Sequence, residues 1–141
     1  MKKRTMKFLY SIAAALFLLL TAALPAEAAQ NWMQVYAHVE QMINKGVEQY
    51  NNGDLEGAKK IINDSYYGVY ENDGLEKAIR TTISSKNANL TEYQYSELKK
   101  AIRENRDKDA VRGEADKLLS MMKNDIESLD SKGAGGGRGA S

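Results

Sequence analysis

The stretch YGVYENDGLE, residues 67–76, gathers Tyr67, Tyr70, Glu71, Asp73 and Glu76 within ten positions. Carboxylates and phenolates are hard oxygen donors. They suit hard cations, ferric iron included, and iron also accepts tyrosinate. In a helix running through Glu71, Tyr67 and Glu71 are four apart and share a face. Asp73 and Glu76 are three apart and share the first turn of a following helix. Two helix ends meeting at a tight bend would bring both pairs within reach of one ion. The same residues carry a second reading. Asp73 at an N-cap, with Glu76 reaching back to its amide, is a capping arrangement that explains both acids without a metal. Tyr67 and Tyr70 would then be rim or core aromatics with hydroxyls reaching water.

Other chemistry finds little material. The chain has one histidine, His38, and no cysteine, so a zinc site of the usual ligands cannot be assembled. His38 falls off the apolar stripe of its helix and reads as a surface residue. A Ser-His-Asp or Cys-His nucleophile has no support. The glycine-rich tail lacks the lysine and the helix that a phosphate-cradling loop needs. A di-iron carboxylate enzyme would need Glu-x-x-His motifs from two helices, beyond the reach of one histidine. The expectation is a protein that is not an enzyme and carries neither haem nor nucleotide.

The ends set the compartment. Lys2, Lys3, Arg4 and Lys7 form a basic start, residues 9–24 are uncharged, and Ala26-Glu27-Ala28 fits a small-x-small cleavage site. Those are the three parts of a secretory signal peptide, residues 1–28. The apolar run is shorter than the roughly 20 residues a spanning helix needs, so the expectation is cleavage after Ala28, with an uncleaved anchor as the alternative. The exported chain would lie in the periplasm or at the cell surface, near a membrane but with no transmembrane helix. Removing four of the 20 basic residues and one of the 19 acidic ones leaves 16 against 18, slightly acidic. No basic face of the kind a nucleic-acid binder needs is evident. Residues 133–141, GAGGGRGAS, read as a flexible tail or linker.

Residues 29–132 are one domain's worth of chain and must position the cluster. There is no proline between Gln30 and Lys132. Segment one, 31–51, carries Trp32, Tyr36, Val39, Ile43, Val47 and Tyr50 at steps of three or four; Asn31 can cap it and Asn51-Asn52-Gly53 stops it. Segment two, 54–70, is capped by Asp54 and striped by Leu55, Ala58, Ile62, Tyr66 and Val69. Segment three, 73–85, places Leu75, Ala78, Ile79 and Ile83 together. Residues 85–89 read as a loop. Leu90, Thr91, Gln94 and Tyr95 then read as a hydrophobic staple and capping box opening segment four, which runs to about Arg106. Segment five, 109–129, is striped by Val111, Ala115, Leu118, Met122, Ile126 and Leu129. RENRDKD, 103–109, is either a break or a solvated helix face. With no period-two alternation, the expectation is an all-α antiparallel bundle of four to five helices.

SYYGVYENDGLEKAIRTTIS, residues 65–84, resembles the N-terminal extracytoplasmic region of bacterial high-affinity iron permeases of the oxidase-coupled iron transporter family. Glu71, Gly74 and Glu76 match the family's recurring glutamate and Gly-Leu/Met-Glu step, and TEYQYSELKKAIR, 91–103, looks like its following helix. The resemblance implies a helical domain that captures or relays iron, or docks a partner, beside an iron permease. Glu71 and Glu76 would be ligands, with Asp73 and Tyr70 as helpers. The family's seven-helix membrane domain has no counterpart in this sequence, so the implied role is accessory. A competing likeness lies at GVEQYNNGDLEGAKKII, 46–62. Gly46, Tyr50, Gly53-Asp54 and Ala58 resemble the joint of a tetratricopeptide hairpin, hence a protein-interaction module, although no copy follows about 34 residues on.

Overall fold

The structure, a computed structural model, describes residues 31–135. The signal-peptide reading of residues 1–28 lies outside them. The described chain is all helix and turn. The elements are α1 (Trp32–Asn51), α2 (Leu55–Asp64) continuing as a π-helix over Ser65–Glu71, the short α3 (Leu75–Ala78) continuing as a second π-helix over Ile79–Ile83, α4 (Ser85–Arg103) and α5 (Lys108–Gly135). The all-α bundle expected from the sequence is the fold observed.

The first two helices start where side-chain chemistry tells them to. The Gln34 amide donates to Asn31 Oδ1 at 3.2 Å, and the Gly57 amide donates to Asp54 Oδ1 at 2.9 Å. Between them Gly53 turns the chain at φ 85°, a conformation that favours glycine. The two helices pack closely because Gly46 faces α2. A Cβ there would lie 2.7 Å from Ile62 Cδ1 and 3.0 Å from Ile61 Cγ2. RENRDKD resolves as a break. Residues 104–107 join α4 to α5, with Asn105 at φ 53°. Asp107 Oδ1 accepts from the Ala110 amide at 2.9 Å and opens α5. The buried Tyr50 ties this connection down by donating to the Arg106 carbonyl.

Three expectations need correction. Residues 85–89 are not a loop, and Thr91 caps nothing. Ser84 is the cap, its Oγ accepting from the Asn87 amide at 3.1 Å, and α4 runs unbroken from Ser85. The reason is spacing. Ala88, Thr91, Tyr95, Leu98 and Ile102 form a continuous buried stripe, so the polar Thr91 is a core position, while Leu90 is left exposed. Second, the stripe of α2 shifts after Ile62. The buried residues are Ser65, Val69 and Tyr70, and Tyr66 is only half-buried. Third, α5 continues past Leu129 to Gly135, taking in the first residues of the expected tail.

The core forms one cluster. α1 contributes Val39, Ile43 and Val47; α2 contributes Ala58 and Ile62; the turn region contributes Tyr70, Leu75 and Ile79; α4 and α5 close it with Leu98, Ile102, Leu118, Met122 and Ile126. α1 packs on α2 and α5, and α4 on α5 and α2. The second π-helix packs on α4 and α5. The turn at residues 72–74 is thereby carried between two helix ends, both packed onto the bundle.

Candidate functional site

The YGVYENDGLE turn is bracketed by the two π-helices. A π turn is rare and inserts one extra residue, so side chains five apart come together. At this turn the Glu71 carboxylate lies near Tyr66 and helps to raise its pKa. The turn closes with the Asp73 amide donating to the Val69 carbonyl and the Gly74 amide to the Glu71 carbonyl, at 2.9 and 3.0 Å. Gly74 sits at φ 81° and opens α3 without any side-chain cap. The capping reading of Asp73 and Glu76 is therefore overturned. Asp73 is exposed, and Glu76 turns to another partner.

That partner is Arg80, four residues on. Its Nε donates to Glu76 Oε1 at 2.5 Å and its Nη2 to Glu92 Oε1, on α4, at 2.6 Å. Its Nη1 donates to Asn89 Oδ1 at 2.9 Å. One guanidinium thus sits between carboxylates of two elements, all three side chains being about a third exposed or less. Glu76 and Arg80 could be paired from sequence as an i,i+4 ion pair. Glu92 could not, because only the packing of α4 brings it to the turn.

Beneath the acids lies an aromatic cluster. Tyr66 meets Tyr67 edge-on at 4.8 Å between ring centroids and Tyr95 edge-on at 5.0 Å, and Tyr70 packs 5.7 Å from Tyr95. Lys99 Nζ stands 5.0 Å over the Tyr66 ring and 5.7 Å over the Tyr67 ring, within cation–π reach. Tyr70 is fully buried and its hydroxyl has no hydrogen-bond partner. Burial, then the Glu76 and Glu92 charges, push its pKa well above the ordinary tyrosine value. Tyr66 is raised by burial first and by the nearby Glu71 carboxylate second. Tyr95 is raised by burial, its Oη lying 3.4 Å from Ser65 Oγ. These phenols hold their protons tightly. A tyrosinate ligand from Tyr70 would form only at the cost of burying its charge.

The structure disposes the five sequence-singled residues in three places. Tyr67, Glu71 and Asp73 are exposed, with Glu71 near Tyr66; Tyr70 lies inside the core, and Glu76 pairs with Arg80. Among the described residues no three His, Cys, Asp or Glu side chains converge as a metal-holding group. His38 is exposed on α1. The residues that spacing missed are Arg80, Glu92 and Lys99. No described helix is long and apolar enough to cross a membrane. Comparison with protein-family models, with curated proteins and with solved structures gives no match for the chain.

Proposed function

We propose that the chain is an extracytoplasmic helical module of iron uptake, acting beside an iron permease and presenting the carboxylates of the YGVYENDGLE turn to the ion. One observation carries the reading: the Arg80 guanidinium seated between Glu76 and Glu92. Two carboxylates from separate elements already share one cation there. Oxygen donors of this type suit hard metal ions. Arg80 is partly exposed, and its displacement would leave Glu76 and Glu92 as an unneutralised pair. Iron is cargo in this reading, held and passed on, and no chemical step is assigned to the chain.

The test is calorimetric titration of the full chain with anaerobic Fe(II) and, separately, chelated Fe(III). Saturable binding in the wild type is expected. Glu76→Gln and Glu92→Gln should weaken it, and Arg80→Met should tighten it by removing the competing cation. Absence of binding to either ion, or binding indifferent to all three substitutions, overturns the reading.

A second reading rests on the α1–α2 hairpin. Gly46 lies against Ile62, Ala58 and Tyr50 are buried, and Gly53 supplies the turn, as a tetratricopeptide joint would require. The hairpin is followed by the π-helical turn and not by a second such pair. A docking role without a metal would leave iron titrations silent.

A further inference from the structure

On the flank of the aromatic cluster, α2 and α4 leave a cleft of about 220 Å³ lined by Lys59, Asn63, Lys99, Ile102 and Arg103. Lys59 and Asn63 are four apart on α2; Ile102 and Arg103 follow Lys99 by three and four residues on α4. Each helix therefore turns one face to the same space, and three cations share it. Like charges drawn to one small volume repel, and folding does not gather them without an offset. Local offsets are partial. Lys59 pairs with Glu56 at 2.8 Å, and the Glu71 charge reaches Lys99. Among the described residues Lys99 and Arg103 make no ion pair. Lys99 is also held in place, its ammonium over two tyrosine rings, and burial lowers its pKa. The cleft is a positive site with a buried apolar floor at Ile102.

We propose that this cleft binds a small phosphate-type oxyanion through Lys59, Lys99 and Arg103, with the Asn63 amide as a further donor. The volume has room for one tetrahedral anion and bridging waters. The donor set fits as well. Arg103 offers the planar fork that matches two oxygens of one group, and the lysines add point charges from either side. The partly desolvated setting of Lys99 strengthens such contacts relative to open solvent. The cleft shares no lining residue with the Glu76–Arg80–Glu92 contact and meets the iron reading only through the Glu71 charge near Lys99.

The probe is inorganic phosphate, titrated into the full chain without iron at low ionic strength and followed by calorimetry or by amide shifts at α2 and α4. Saturable binding is expected. Arg103→Gln and Lys99→Met should each weaken it by about ten-fold, the loss of one charge-assisted hydrogen bond, and added salt should weaken it further. Arg103 is exposed, so its variant keeps the fold and far-UV circular dichroism verifies this. A parallel arm uses phosphatidylcholine vesicles with and without phosphatidylglycerol. Response to free phosphate assigns a soluble anion. Response to anionic vesicles alone, reduced in both variants, assigns the same chemistry to a lipid headgroup. Neither response, or binding unchanged by both substitutions, overturns the proposal.

Discussion

Tyr70→Phe should make the protein more stable. The ring of Tyr70 is fully buried and touches Tyr66 and Tyr95, contacts that phenylalanine keeps. Its hydroxyl is the anomaly. It is buried without a hydrogen-bond partner, and so is the hydroxyl of Thr91, close enough to offset part of the burial effect on Tyr70. A buried, unpaired polar group costs about 1–3 kcal/mol. Taking the lower end, removal returns about 1 kcal/mol. For a domain of this size that raises the melting temperature by roughly 4–8 °C and the urea midpoint by about 0.3–1 M at unchanged slope.

Tyr50→Phe supplies the contrast within the same protein. Tyr50 is nearly as buried, but its hydroxyl donates to the Arg106 carbonyl across the α4–α5 connection. Its loss should lower stability by about 1 kcal/mol. The assay is urea unfolding of both variants by circular dichroism, completed by Thr91→Val and the Tyr70/Thr91 double variant. A destabilised Tyr70→Phe whose effect vanishes in the Thr91→Val background would mean that the two hydroxyls bond each other, and the orphan-hydroxyl reasoning would fall. If Tyr70→Phe gains stability and loses iron binding, the hydroxyl is kept for function at a cost in folding.

Glycine positions give opposite signs as well. Gly113→Ala, with open space around it on α5, should add about 1 kcal/mol from helix propensity, whereas Gly46→Ala must displace Ile62 and should show no such gain or a net loss in thermal melts. Asp125 is buried, accepts from Asn87 Nδ2 at 2.6 Å, and has its pKa raised chiefly by burial. Its contribution is therefore fully present below the unfolded carboxylate value and is lost as pH rises through the folded one. Asp125→Asn should unfold at higher urea than wild type at neutral pH, and the difference should close in acid; a constant difference would contradict the assignment. Tyr36 is pushed up to about 12 by burial first and by Glu40 second, and Tyr66, Tyr70 and Tyr95 are raised too. At about pH 11 the native protein should show markedly less tyrosinate absorbance than the urea-unfolded chain, whose tyrosines titrate near 10. The stability these phenols contribute is whole below 10 and drains away as pH climbs past it.

The helices themselves were legible because their stripes are nearly pure. Every apolar residue assigned to α5, from Val111 to Leu129, is buried, and α1 is capped and stopped where Asn31 and Gly53 require. α4 was misread because its buried stripe includes Thr91, a residue that chain-local reasoning assigns to a cap. Cap and core compete for such residues, and the contest is decided by whether a buried helix stripe runs through them. Here Ala88 and Tyr95 flank Thr91 at three and four residues, so the stripe wins and Ser84 takes the cap. Val35 was missed on α1 for a related reason, since burial on that helix is wider than a single row.

At the turn the limit was a different one. Reading Tyr67 and Glu71 as one face assumes a period near 3.6, and the π-helix over Ser65–Glu71 breaks that assumption. Five-residue spacing sets the Glu71 charge near Tyr66 and leaves Tyr67 in solvent. The composition of YGVYENDGLE gives the acids and phenols, while the partners that organise them come from elsewhere: Arg80 from the second π-helix, Glu92 and Lys99 from α4. Glu76 and Glu92 are consequently neutralised in place. Any cation that takes Glu76 and Glu92 must outcompete a guanidinium already bonded to both. That sets a sharp condition on the iron reading: binding has to be stronger in Arg80→Met than in the wild type, because a ligand pair guarded by its own cation is freed when the guard is removed.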